Sequence, residues 1–145
     1  MGSKTRSVLA AASIAVVMGC SSVSHAKSSQ PTAVANGQSI FQTGLDSDGS
    51  QIIAKPPALY PKCAACHRAD GSGGVHLPGG AVSADLRYKA LVTDQKPPYT
   101  LALLERAIST GIDNTGEPLN PVMPHWKLSK RDLHDVAYYV LTKLK

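Results

Sequence analysis

Two cysteines three positions apart, with a histidine directly after the second, constrain this chain more than any other feature. The stretch Tyr60-Pro-Lys-Cys63-Ala-Ala-Cys66-His67 suits three chemistries: a zinc ligand pair, a redox-active dithiol, or the covalent attachment of a haem. Each demands a different setting. A structural zinc site needs four protein ligands, usually two such pairs, and the third cysteine, Cys20, stands alone. His76 or His125 would have to complete the site from irregular loops, and His67 cannot easily share one tetrahedral ion with both cysteines. A thioredoxin-like dithiol sits between a strand and a helix, and no strand pattern is convincing here. A Cys63–Cys66 disulfide closes too small a loop to stabilise much. Haem attachment accounts for every position. The cysteines, one helical turn apart, can present both sulfurs to the two vinyl groups on one haem edge, and His67 then faces the iron.

The N-terminus carries an export signal. Lys4 and Arg6 precede the uncharged apolar run Ser7–Met18, which is too short to span a bilayer comfortably and is flanked like a secretory signal peptide. Two processing sites compete. Ser24-His25-Ala26 has the small residues a signal peptidase requires, giving a leader of residues 1–26. Val17-Met-Gly-Cys20 looks like a lipobox, which would give a leader of residues 1–19 with Cys20 lipidated and attached to a membrane. Either cut sends the chain to the periplasm or another extracytoplasmic space. It also leaves thirteen basic residues against ten acidic ones, a net charge of +3. No basic cluster suggests nucleic acid, and so mild a charge does no more than steer docking to an acidic partner.

Residues 27–35 read as a flexible tether, and 36–145 as one domain. Asn36 is expected to cap a short helix ended by Gly44. The stretch from Ile52 to Lys62 reads as extended and proline-rich, and Asp70–Gly80 as a glycine-rich loop. Ser83–Val92 could hold a short helix with Asp85 in its first turn. Thr100 caps a clearer helix with Leu101, Leu104 and Ile108 on one face and Gly111 at its end. Ser129 and Asp132 make a capping box for the last helix, along which Leu133, Val136, Ala137, Val140, Leu141 and Leu144 repeat. The fold class is all-α: a small domain of a few helices and long loops. One Phe and one Trp make a thin core for this size, with room for a large apolar cofactor.

The run Cys63–Gly74, followed by Met123-Pro-His-Trp and the last helix, resembles a bacterial class I c-type cytochrome from about Gln38 to the C-terminus. The resemblance implies a cytochrome c-like fold around one covalently bound haem c, with Cys63 and Cys66 as its anchors. His67 and Met123 would be the axial iron ligands. His125 is the fallback for the second face; His76 and His134 are read as exposed or solvated, and His25 falls in the leader or tether. Pro78 would accept the hydrogen bond that orients the His67 ring. Arg87, Trp126 and Tyr60 are candidate donors to the haem propionates. Gly37 and Phe41 on the first helix would cross the last helix at Tyr139. The sequence departs from the family between Phe41 and Cys63, where an insertion around residues 45–61 would either cover a haem edge or form a partner surface.

The expected function is one-electron transfer between redox partner proteins, with no substrate bond made or broken and so no enzymatic activity. Three alternatives stay open: an open distal face serving a peroxidase or gas sensor, a cytochrome subunit of a larger oxidoreductase, and a zinc-binding module without haem.

Overall fold

The computed structural model describes residues 1–2 and 31–145. Residues 3–30, which hold the rest of the expected leader, Cys20, His25 and the first part of the expected tether, lie outside the described residues. The first helix, α1 (Ala33–Thr43), starts where the Thr32 hydroxyl accepts the N–H of Ala35 at 3.2 Å, and stops at Gly44 in the left-handed conformation. Thr32, and not Asn36, is the cap, so Ala33–Ala35 are helical and not part of a tether. Asn36 lies buried inside the helix. Its amide donates to Asp132 and Asp135, both at 2.8 Å, from 96 and 99 residues away. Two carboxylate acceptors hold a buried amide more strongly than one local N–H holds a cap.

Those carboxylates belong to α4 (Lys130–Lys143), which begins as the capping box requires. The Ser129 hydroxyl accepts the Asp132 N–H at 3.1 Å and donates to the Asp132 carboxylate at 2.6 Å. Helices α1 and α4 cross at Gly37, where a Cβ would run into the Asp135 carbonyl and the Tyr139 side chain. The Phe41 and Tyr139 rings meet beside the crossing with centroids 5.7 Å apart. Ile40, Phe41, Val136, Ala137 and Val140 are buried around it, each large side chain contributing about 1.5–3 kcal/mol.

Between the terminal helices, α2 (Ala64–His67) is one turn carrying the histidine of the motif, and α3 (Leu101–Thr110) packs on α4 with Leu104 and Ala107 buried. Thr100 caps α3 and Gly111 ends it in the left-handed region. The helix expected over Ser83–Val92 is shorter and later: only Lys89–Thr93 turns, as a π-helical segment. Its expected first half is extended because its backbone groups are spent on the glycine-rich loop. Ser83 donates to Val75 at 2.9 Å, Gly74 to Ser83 at 2.9 Å, and Leu86 to Gly71 at 2.7 Å.

A two-stranded antiparallel ribbon corrects the expectation of a domain without strands. Strand β1 (Ile53–Lys55) pairs with β2 (His125–Lys127), with Ala54 opposite Trp126. Both central residues are buried and both flanking pairs face outward. Pairing with a partner some seventy residues away is a long-range event that the local pattern does not signal.

Candidate functional site

The Cys63 carbonyl accepts the N–H groups of Cys66 and His67 at 3.2 and 3.0 Å. The motif is thus wound into one turn, which brings both sulfurs and the imidazole to a common cavity. His67 is 8% exposed, and its ring Nδ1–H donates to the Ala84 carbonyl at 2.8 Å. That bond fixes the tautomer and leaves Nε2 as the nitrogen free to bind a metal. Pro78 does not take this role. It begins a short 3₁₀ turn at Pro78–Gly80, while the chain doubles back through the His76–Val82 bridge and delivers Ala84 instead. Gly73 makes the approach feasible: it sits at φ +61°, and a Cβ there would strike the Ser83 and Ala84 carbonyls. Ser83 completes the clasp, donating to the Cys66 carbonyl at 2.7 Å and accepting from the Val75 N–H at 3.0 Å.

Burial pushes the His67 imidazole below its ordinary value, with the Ala84 bond partly opposing, so the ring is held neutral. It also pushes the Cys63 thiol up to about 12 and raises that of Cys66. A redox-active or metal-stripping dithiol needs the opposite, a stabilised thiolate. The zinc alternative fares no better: among the described residues no three His, Cys, Asp or Glu side chains converge. His76 and His125 are exposed.

Cys63, Cys66 and His67 line one side of a cavity of about 350 Å³, and Met123 lines it from the late loop. Leu91, Leu104, Ile108 and Val140 supply apolar walls, and the volume falls in the range of ligand-binding cavities. Met123 stands in a tight turn, its N–H donating to the Asn120 carbonyl at 2.9 Å while the Asn120 side chain accepts from Val122 at 3.0 Å. His125 is spaced to the outward face of β2 and its ring packs over Gly111, away from the cavity. His134 is also exposed and pairs with Glu105 at 3.2 Å.

The proposed propionate donors separate. Trp126 is buried and lines the cavity. Arg87 is engaged with Asp85 at 2.6 Å and is not part of the cavity wall, and Tyr60 is 53% exposed. Tyr60 belongs to an adjoining groove, where Ala58, Leu59 and Lys62 of the insertion run beside the two cysteines and Met123. The sequence reading missed the polar end of the cavity, formed by Gln95, Tyr99, Asn114 and Asn120. Asn114 is buried and its amide donates to the Pro97 carbonyl. The signal available was Tyr99 and Asn114 flanking α3, which ordinary turn chemistry disguises.

The donor set therefore fits a large apolar cofactor: two sulfurs, an imidazole nitrogen and a thioether share one largely apolar cavity. The family model of cytochrome c matches residues 34–143, and the chain belongs to the cytochrome c family. Members carry covalently attached haem c with its iron, and the Cys63–Cys66–His67 motif fits that attachment. The protein is thus a haem-binding protein of an electron-transfer family. A comparison with curated proteins returns no match. Among the described residues, no helix is long and apolar enough to cross a membrane.

Proposed function

We propose that this protein is an exported carrier of single electrons, with one haem held by thioethers from Cys63 and Cys66 and ligated by His67 and Met123. The observation that carries the reading is the shared cavity: two half-buried cysteines, a histidine with Nδ1 already engaged, and a methionine fixed in a turn all line it. Bound haem iron supplies one reversible electron, and a methionine sulfur favours its reduced state. The protein's own contribution is rigidity. The Ala84 carbonyl holds the imidazole in one orientation and raises its basicity. The apolar wall excludes water, and the turn at Asn120 holds Met123 ready. With both faces claimed, no position remains for a substrate, which disfavours a peroxidase or gas sensor.

Export rests on the signal peptide, and lipidation at Cys20 would tether the carrier to a membrane. Redox partners would dock briefly on a modest, wet surface, and the groove beside Ala58–Lys62 is the exposed approach to the cysteine edge. Carbon monoxide added to the reduced holoprotein tests the closed site. The carrier reading expects an unchanged spectrum, whereas rapid formation of a carbonyl adduct would support the open-site alternative.

A further inference from the structure

We infer that the insertion preceding the cysteine motif is a positioning strap for the ligand loop. Its strand β1 holds β2, and β2 begins two residues after Met123. The inference rests on the assignment of Met123 as an iron ligand and adds a role for Gln51 and Ala54.

The loop from Gly111 to Ser129 has to place one side chain, and its two ends are tied differently. On the upstream side, the Leu119 N–H donates to the Gly111 carbonyl at 2.7 Å and Ile112 bridges Pro118. Both backbone contacts lie within the loop, and the outward tie there is made by a side chain, the Asn114 amide donating to the Pro97 carbonyl. On the downstream side the backbone tie reaches outside the loop, as His125, Trp126 and Lys127 pair with Lys55, Ala54 and Ile53. Trp126 lines the cavity with Met123 and is 4% exposed, seated opposite Ala54. A backbone shift that withdraws Met123 would have to carry Trp126 and the ladder with it.

The strap is itself anchored at its base. The Gln51 amide donates to the Gly44 carbonyl at 2.6 Å and to the Pro61 carbonyl at 2.8 Å. One side chain thus joins the end of α1 to the segment entering the cysteine motif. Ile52 and Ala54 are buried, while Ile53 between them is 65% exposed. The strand therefore faces the core with one side only, as a strap lying on a loop must. In this way the insertion links the motif side of the cavity to the methionine side without passing through the helices.

The test uses ferric holoprotein and imidazole, a small ligand that enters only when the methionine leaves. The double variant Gln51→Ala/Ala54→Gly loosens the base and weakens the strand. It is expected to speed imidazole capture by about tenfold, the change one or two lost hydrogen bonds produce. Ile40→Val, which trims the α1–α4 core away from the cavity, serves as the control for general destabilisation and is expected to leave capture unchanged. Equal capture by wild type and double variant, or equal acceleration by the control, would overturn the strap. Hydrogen exchange of the unmutated holoprotein gives an arm that needs no variant. Amides at 125–127 should open together with those at 53–55, and β2 staying protected while β1 opens would also overturn it. Should the wild-type ferric protein lack the weak red band of an iron–methionine bond, the ligand assignment itself fails and the strap's role falls with it. A band that is present with unchanged capture sinks the strap alone.

Discussion

The two walls of the cavity are built on opposite plans. The His67 wall is local: a helical turn, a glycine-rich loop and the returning segment Ser83–Leu86 are knit together by Ser83, Ala84 and Leu86. The Met123 wall is assembled from a distance, with a turn at Asn120 and a strand pairing to β1. The histidine proposed to hold the iron permanently is enclosed by dense short-range bonds. The methionine proposed as the second ligand sits beside a strand whose pairing partner lies far away in the chain.

That contrast orders the expected effects of substitution. His67→Ala should do the most damage, because it removes the proposed ligand around which the motif is organised. Near-complete loss of stable coloured protein is expected on purification, and a normal yield of coloured protein would show that another residue takes its place. Gly73→Ala comes next, since it forces a side chain into a left-handed position against the Ala84 carbonyl. A loss of about 3 kcal/mol is expected in denaturant unfolding, together with a rise in reduction potential, because an imidazole that loses its acceptor is less basic and stabilises ferric iron less. Ser83→Ala removes one donor and one acceptor from the clasp and should cost about 1–2 kcal/mol. Its effect on the potential should be small, because Ala84 stays in place.

The smallest effect tests a tie belonging to neither wall. Burial acts to raise the Asp132 carboxyl, but hydrogen bonds from Ser129, Asn36 and Ser47 outweigh it and hold the group below its ordinary 3.8. A depressed folded value means stability that is present above the unfolded value and is lost as pH falls through the folded one. Asp132→Asn should therefore cost about 1 kcal/mol at neutral pH. It should also flatten the fall of melting temperature between about pH 5 and pH 2. Parallel acid profiles for the two proteins would show that Asp132 does not carry this dependence.

The same division governs what the sequence made legible. The motif turn and the caps at Thr100 and Ser129 follow from local spacing, whereas the crossing of Gly37 and Phe41 with Tyr139 comes from the resemblance to c-type cytochromes. Met123 is singled out by the family resemblance, and the structure places it in the cavity wall. Pro78 was misread because a glycine-rich loop leaves its register open, and only the His76–Val82 bridge brings Ala84 under the imidazole. Asn36 looked like a cap because its acidic partners lie in α4. Strand β1 was invisible for the same reason. A three-residue strand carries no period of its own, and its partner follows the ligand loop.

The central claim is that one cavity offers His67 and Met123 to the two faces of a single haem iron. The visible and near-infrared spectrum of the ferric holoprotein, compared with that of Met123→Ala, tests it most directly. A low-spin spectrum with the weak red iron–methionine band should be seen in the wild type and should vanish in the variant. The reduction potential should fall by on the order of 0.1 V within the roughly 0.8 V that axial ligands span. A wild-type spectrum already high-spin, or a band that survives the substitution, would contradict the account.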